Sequence, residues 1–207
     1  MRARFAAATL AFLAIGSFTL AAQAAHFGAS GGLYISAPGA WYGGIGLVGT
    51  KIVRQDGGPE LLADGAGLSL YGGLRLGSQL SLEAGWMESF HNPALVETYY
   101  GEQLDYLVVE ALTLDVRILG RRQGSFVPYF QGGLGLYALS SEYFGTDSVG
   151  SGFQLGGGAE ILLGPVVSLG GRALYRGIAM GPPHSDVRDT FVSAVTGEIY
   201  LGLRSPR

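Results

Sequence analysis

Apolar and polar residues alternate along Leu68–Trp86, and this period of two is the strongest constraint on the fold. Leucine occupies every second position of LSLYGGLRLGSQLSLEAGW on both sides of a Gly-Ser-Gln break. Because successive side chains of a strand point to opposite faces, the segment is predicted to form two strands and a tight turn. One face is apolar, and the other carries serine, glycine, tyrosine, arginine and glutamate.

The same alternation recurs along the chain and predicts eight strands. They are Trp41–Val53, Ala66–Gly77, Leu80–Ser89, Gln103–Leu119, Phe126–Ser140, Gly152–Leu163, Val166–Ala179 and Thr190–Arg204. Strands in globular sheets usually have about 5–6 residues, whereas a tilted strand that crosses a bilayer needs about 9–11. Most of the predicted strands fall in the longer class.

The connections between the predicted strands are alternately short and long. GSQ, GRRQGS and GP are short, whereas RQDGGPELLAD, FHNPALVETYYGE, SEYFGTDSVG and MGPPHSDVRD are long and polar. Outer-membrane barrels have brief periplasmic turns and extended external loops. The sequence therefore predicts an all-β fold, a transmembrane antiparallel up-and-down β-barrel of eight strands, over residues 41–204.

The composition agrees with a sheet whose surface does not face water. Charged residues make up 14% of the chain, against about 25% in typical domains. Glycine, which disfavours helices, accounts for 36 of the 207 residues. The net charge of −3 gives no basic surface, so we expect no nucleic-acid partner. Cysteine is absent, so there is no disulfide framework or thiolate site.

The first residues have the pattern of an export signal. Arg2 and Arg4 precede an apolar run that ends in Ala-Gln-Ala, a small-x-small cleavage pattern. We predict a signal peptide over residues 1–24 and a periplasmic N-terminal lead-in over residues 25–40. An uncleaved membrane anchor is the alternative, but the run is short and broken by Gly16 and Ser17.

The apolar face is predicted to meet lipid, and the polar face is predicted to line the lumen. The interior of an eight-stranded barrel is just wide enough for side chains, so charges within it must pair. The luminal ion-pair network is predicted to contain Arg75, Glu83, Asp115, Arg117, Glu160, Arg172, Arg176 and Glu198. A secreted sandwich or lipocalin-like barrel is the alternative, in which the polar face would meet water.

Aromatic residues near the predicted strand ends suit the two membrane interfaces, where amphipathic rings accumulate. The candidates at the periplasmic ends are Trp41, Tyr42, Phe126 and Phe130. The candidates at the external ends are Trp86, Phe153, Tyr175 and Phe191.

The segments SLYGGLRLGSQLSLEAGW, VPYFQGGLGLY and TGEIYLGLR resemble the OmpA-type, OmpX-like family of eight-stranded outer-membrane β-barrels of Gram-negative bacteria. The resemblance covers residues 41–204. It implies location in the cell outer membrane, contact with outer-membrane lipids and lipopolysaccharide, and insertion by the barrel-assembly machinery. In that family the last strand usually ends in an aromatic residue, whereas this chain ends in LRSPR.

The side chains that could carry chemistry are few and scattered. His26, His91 and His184 are predicted to lie in the lead-in or in loops, so we predict no metal and no cofactor. His184 and Ser185 are adjacent, but a nucleophile and its base rarely come from neighbouring residues. The His-x-Ser-Asn motif of outer-membrane lipid A deacylases is absent.

We therefore predict a non-enzymatic, monomeric outer-membrane protein with a salt-bridged lumen and external loops for structural or surface-interaction roles. A small porin-like channel of the same fold is the first alternative, and a lipid A-modifying enzyme that uses His184 or Ser185 is the second. Loops on a rigid scaffold often carry function. The most apolar and aromatic of them, FHNPALVETYY, is the candidate contact with a partner or lipopolysaccharide.

Overall fold

The structure is a computed structural model, and it describes residues 40–56, 62–91, 97–98, 101–102, 107–141, 148–181 and 190–205. The strands are β1 (Trp41–Asp56), β2 (Gly65–Arg75), β3 (Leu80–His91), β4 (Glu97–Thr98), β5 (Gly101–Glu102), β6 (Leu107–Leu119), β7 (Phe126–Ser141), β8 (Ser148–Leu162), β9 (Val167–Met180) and β10 (Thr190–Arg204). Within these ranges, no helix is long and apolar enough to cross a membrane.

Eight of the strands close into one antiparallel barrel, in the order β1-β10-β9-β8-β7-β6-β3-β2. The other two, β4 and β5, pair with each other in the connection between β3 and β6. Closure pairs the first barrel strand with the last, so the wall has no open edge. The predicted eight-stranded up-and-down barrel is therefore confirmed.

The strands are staggered around the barrel. A row of direct partners is followed by stepping from each residue to the one paired with it on the next strand. The row that starts at Tyr42 passes through Glu83, Asp115 and Arg176. It returns to β1 at Ile52, ten residues beyond its start. A stagger of this kind requires the strands to tilt against the barrel axis. As a result, one continuous row carries several inward charged side chains across neighbouring strands.

The two ends of the barrel differ in their connections. At one end the turns at 76–79, 120–125 and 163–166 are short, and we call this the short-turn end. The turn at 120–125 is closed by hydrogen bonds between Gln123 and Phe126, and Gly124 takes a φ of 62°, which favours glycine. The opposite end, from which the long connections leave, is called the loop end.

Several strands extend further towards the loop end than the alternation predicted. The first strand continues to Asp56 instead of Val53, and β8 begins at Ser148 instead of Gly152. Backbone pairing continues there, for example between Gly150 and Met180, although the side-chain pattern has become irregular. The predicted start of β6 at residues 103–106 lies outside the described residues, as do residues 1–39, which contain the predicted signal peptide and nearly all of the lead-in.

The apolar face of the wall points outward, as predicted. Leu47, Leu134 and Ile199 are 69%, 70% and 68% exposed, far more than aliphatic side chains in the core of a soluble domain. Their inward neighbours are buried, for example Val48 and Glu198. The soluble alternative required the leucine face to be the core, and the structure contradicts it.

The lumen holds the core of the molecule in two apolar clusters. The short-turn end contains Tyr42, Tyr71, Leu119, Val127, Tyr129, Leu162 and Tyr200. The loop end contains a second cluster, called the loop-end plug, formed by Val48, Leu62, Met87, Leu107, Val109, Ala111, Tyr137, Ile178, Met180 and Val192. The sequence predicted a polar inward face throughout, so the plug is a correction. Both faces of the strands are apolar at this level, as in LVV at 107–109, so the alternation loses its contrast there.

The outward direction of Leu134 can be tested by Leu134→Arg. This side chain lies in the middle of β7, between the outward residues Leu114 and Phe153 of the neighbouring strands. A charge on the lipid face near mid-membrane costs about 2–4 kcal/mol, so we expect the free energy of unfolding to fall by that amount. Urea unfolding in lipid vesicles measures it. Ser78→Arg in a short exposed turn is the control, and equal stability of both variants would contradict the assignment.

Candidate functional site in the barrel lumen

Five charged side chains form a compact group in the lumen, which we call the ion-pair cluster: Glu83, Arg117, Glu160, Arg172 and Glu198. The Arg117 Nη1 atom lies 2.8 Å from Glu160 Oε1, and its Nε lies 3.1 Å from Glu83 Oε2. Arg172 contacts two carboxylates, Glu83 at 2.6 Å and Glu198 at 2.7 Å. Each side chain is at most 7% exposed, so these pairs are almost fully shielded from water.

The contact between Glu83 and Arg172 joins opposite walls of the barrel. Glu83 is on β3 and Arg172 is on β9, four strands apart in either direction around the eight-stranded ring. The two side chains meet at 2.6 Å and together span the diameter of the lumen. The contact therefore occupies the centre of the lumen at this level.

Amide and hydroxyl groups add further hydrogen bonds around the cluster. Gln131 lies between both arginines and accepts from Arg172 Nη1 at 3.2 Å and from Arg117 Nε at 3.4 Å. Ser69 donates to Glu198 Oε1 at 2.8 Å. Buried charges need such partners, since the attraction of the pair alone does not repay their desolvation.

A ring of tyrosines surrounds the arginines on the short-turn side. The guanidinium carbon of Arg117 lies 4.1 Å from the ring centroid of Tyr129, within the range of a cation–π contact. The hydroxyls of Tyr129 and Tyr200 are 2.9 Å apart, and Tyr200 donates to Glu160 Oε1 at 3.2 Å. The aromatic ring thus contributes both cation–π contacts and hydrogen bonds.

Glycines on the neighbouring strands make room for these tyrosine rings. A Cβ at Gly170 would collide with the ring of its direct partner Tyr200, and a Cβ at Gly73 would lie 2.5 Å from Cζ of Tyr42. Both glycines face inward opposite a tyrosine. Part of the glycine content of the chain is therefore explained by how closely the aromatic side chains lie along the wall.

Three of the predicted network residues lie outside the ion-pair cluster. Asp115 is buried but bonds Gln154 and Thr113, at 2.6 and 3.0 Å, instead of an arginine. Arg176 is buried one level closer to the loop end, and its Nε and Nη1 atoms have no hydrogen-bond partner. Arg75 is only half-buried, in the last position of β2 at the short-turn end. The ion-pair cluster therefore contains five of the eight predicted residues.

Seven of the eight predicted interface aromatics lie on the outward face. Trp41, Phe126 and Phe191 stand at the first or second position of their strands, and Trp86 also lies among outward residues. Four of the seven lie deeper, at the fifth or sixth position from a strand end: Trp86, Phe130, Phe153 and Tyr175. Their role at the membrane interfaces stays a prediction.

Tyr42 was predicted at the interface, and the structure contradicts this. It is 8% exposed and belongs to the luminal cluster at the short-turn end. Trp41 points outward, and side chains alternate along a strand, so its neighbour has to point inward. The alternation along the strand therefore places Tyr42 in the lumen. The prediction of an interface position rested only on its place at the strand end.

Sequence reasoning missed a buried serine–histidine pair at the loop end. His91 was predicted in a loop, but it is the last residue of β3 and is 1% exposed. Its Nδ1 lies 2.8 Å from the carbonyl oxygen of Ala63, and its Nε2 lies 2.9 Å from the Ser89 hydroxyl. The carbonyl can only accept, so Nδ1 carries the proton. In the neutral imidazole Nε2 then accepts from the Ser89 hydroxyl, which also lies 3.4 Å from the carbonyl oxygen of Val109. Ser89 is fully buried beneath the plug, which suits a structural pair.

The described residues contain no group of three or more histidine, cysteine or acidic side chains that could hold a metal ion. His184 and Ser185 lie outside the described residues, as does His26. Among the described side chains, the chemistry of the lumen is therefore ion pairing and hydrogen bonding that join the walls of the barrel.

An all-antiparallel closed barrel with lipid-facing leucines and a charged, salt-bridged interior defines an outer-membrane barrel protein. The family model for the outer membrane protein beta-barrel domain matches residues 10–197, and the chain belongs to this family. It fits the OmpA-type, OmpX-like group and is located in the cell outer membrane. No curated protein is significantly similar to it in sequence.

Solved structures share the fold at low sequence identity. Neisserial surface protein A is 17% identical with a TM-score of 0.55, over 81% of this chain and 97% of that one. OprG from Pseudomonas aeruginosa is 14% identical with a TM-score of 0.52, over 82% and 97%. Ail, the attachment invasion locus protein of Yersinia pestis, was solved with the heparin analogue sucrose octasulfate. It is 15% identical with a TM-score of 0.52, over 81% and 99%. At these identities the likeness concerns the fold.

The energetic weight of the ion-pair cluster can be tested by Arg172→Met. Removing this guanidinium leaves Glu83 and Glu198 each short of a buried partner, and breaking a buried pair typically costs about 3–5 kcal/mol. Equilibrium urea unfolding in detergent micelles should show a loss of this size. The matched control is Arg54→Met, whose pair with Asp56 is 71% and 49% exposed and should contribute at most about 1 kcal/mol. Similar losses in both variants would argue against a stabilising cluster.

Proposed function

We propose that this protein is a non-enzymatic outer-membrane barrel whose closed body is a scaffold and whose external loops make its surface interactions. The observation that carries the proposal is the Glu83–Arg172 contact at 2.6 Å across the diameter of the lumen. The loop-end plug supports it independently, because it fills the other half of the interior with apolar side chains. A body filled in this way leaves the loops as the parts that can contact partners.

The proposal includes a biogenesis route and a lipid environment. Residues 1–24 act as a cleaved export signal, residues 25–40 are a periplasmic lead-in, and the barrel-assembly machinery inserts the strands. The folded barrel is a monomer in contact with outer-membrane lipids and lipopolysaccharide. The family assignment and the apolar outward face support this environment.

Conductance separates the closed scaffold from the porin-like channel. The barrel inserted into planar bilayers should show no stable openings, because ions would have to pass both the ion-pair cluster and the plug. Insertion is verified by heat-modifiable gel mobility of the same sample. A large, stable conductance would refute the closed lumen. In that case Arg172→Ala should change ion selectivity and Arg54→Ala should not, because only the first side chain lies in the path.

The connection between β3 and β6 is the candidate contact with lipopolysaccharide or a partner. It carries residues 92–100 of the segment FHNPALVETYY and the small β4–β5 sheet, so part of it has structure of its own. By analogy of fold, Ail offers an example of a barrel with a bound sulfated ligand. This analogy names no ligand for the present chain.

Shortening that connection tests its role. Residues 92–106 are replaced by a short Asn-Gly turn, which should leave the barrel folded because β3 and β6 already pair up to His91 and Leu107. Binding of lipopolysaccharide micelles should weaken about tenfold, equivalent to about 1.4 kcal/mol. The same replacement at residues 142–147 is the control. Unchanged binding after the first replacement would assign the contact elsewhere.

A further inference from the structure

The charged residues at the two ends of the barrel differ in sign. The three short turns, LGSQ at 76–79, GRRQGS at 120–125 and LGPV at 163–166, contain two arginines and no acidic residue. Arg75 and Arg204, the last residues of β2 and β10, lie at the same end. The four long connections, in contrast, carry nine acidic and two basic residues. The net charge of −3 therefore conceals a barrel whose short-turn end is positive.

The short turns lie at the edge of the apolar wall. Leu76, Leu163 and Val166 are turn residues, yet their side chains are exposed, like those of the outward leucines in the strands. Exposed apolar side chains that continue a lipid-facing wall belong at the boundary of the hydrocarbon. Turns of this length cannot carry a side chain far beyond that boundary. The arginines of this end are therefore held at the depth of lipid headgroups.

The turn between β6 and β7 presents two of these arginines. Hydrogen bonds between Gln123 and Phe126 close the turn, and both Arg121 and Arg122 are exposed. The Nε atom of Arg122 donates to the carbonyl oxygen of Gly124 at 2.6 Å, which holds this guanidinium beside its own turn. Two positive charges are thus fixed at the tip of a tight hairpin.

We propose that the short-turn end binds anionic phospholipids of the periplasmic leaflet, with Arg121 and Arg122 as the main contacts of their phosphate groups. A guanidinium can donate two parallel hydrogen bonds to a phosphate and keeps its charge at physiological pH. Arg75 and Arg204 add positive charge elsewhere on the same rim. The inference deepens the lipid contact proposed above and rests on the periplasmic position of the short-turn end.

The carboxylates of the cell wall are the rival partner for these arginines. The depth of the turn favours lipid, because Ile118 and Phe126, the outward residues on either side of it, are exposed on the lipid-facing wall. Contact with a polymer in the periplasm would be served by a long connection, and the described connections at this end are short.

The test measures which lipid lies beside the turn, by quenching of tryptophan fluorescence. The two native tryptophans, Trp41 and Trp86, are replaced by phenylalanine. The substitution Phe126→Trp then places one reporter beside the arginines, because residue 126 bonds Gln123 within the turn. The full chain is folded into phosphatidylcholine vesicles that contain either brominated phosphatidylglycerol or brominated phosphatidylcholine as the quencher. Heat-modifiable gel mobility verifies that each variant is folded.

Phosphatidylglycerol should bind beside the reporter about fivefold more strongly than phosphatidylcholine, the effect of one arginine at an anionic surface. The preference should disappear when Arg121→Gln and Arg122→Gln are combined, and also at about 1 M salt, where charges are screened within about 3 Å. Arg54→Gln, at the loop end, is the matched control and should keep the preference.

The native tryptophans give a second measurement that needs only one conservative change. The Trp86→Phe variant keeps Trp41, the first residue of β1 at the short-turn end, and should also prefer phosphatidylglycerol. The Trp41→Phe variant keeps Trp86, which shares the outward face of β3 with Glu88, and should show no preference.

Equal quenching by both lipids at Trp41 and at the Phe126→Trp reporter would overturn the proposal, as would a preference that survives the double variant. Equal quenching together with arginine-dependent binding to purified peptidoglycan would assign the short-turn end to the cell wall instead. Neither the lumen nor the loops enter these measurements, so such a failure is distinct from a failure of the proposed closed scaffold.

Discussion

Every backbone hydrogen bond of the barrel wall has to be made within the wall, because hydrocarbon offers no partner. The pairing of β1 with β10 meets this requirement by leaving no edge. Closure with a stagger of ten residues then fixes which side chains face one another across the narrow lumen. The positions of Glu83 and Arg172 on opposite walls follow from this geometry, and so does their contact.

The lumen is organised in layers that serve different physical needs. Near the short-turn end, tyrosine rings and the ion-pair cluster fill the interior with polar groups that mostly bond one another, although the Tyr42 hydroxyl has no hydrogen-bond partner. Towards the loop end, an apolar plug excludes water much as the core of a soluble domain does. Within the plug, Arg176 and Thr50 are buried polar residues whose Nε, Nη1 and Oγ1 atoms have no hydrogen-bond partner.

Much of the fold could be predicted from sequence because hydrocarbon imposes a strict alternation on each strand. On this basis Leu134 and Ile199 were predicted to face lipid, and both point outward. Glu83, Arg117 and Arg172 were predicted to face the lumen, and all three are buried there. The alternation became uninformative where both faces are apolar, and the plug around Met87 and Ile178 was missed for that reason. The prediction for Tyr42 was wrong because it used the position at a strand end. Tyr42 follows the outward Trp41 directly, so the alternation points its side chain inward.

The sequence by itself determined the strand number, the outward direction of the apolar face and the set of charges that enter the lumen, because these depend on local period and loop length. Only the tertiary structure decided which charges meet. Asp115 and Glu83 are direct partners on neighbouring strands. Asp115 nevertheless bonds the amide of Gln154, whereas Glu83 forms ion pairs with two arginines. That choice depends on the stagger and on reach across the lumen, which are properties of the closed barrel and of no single strand.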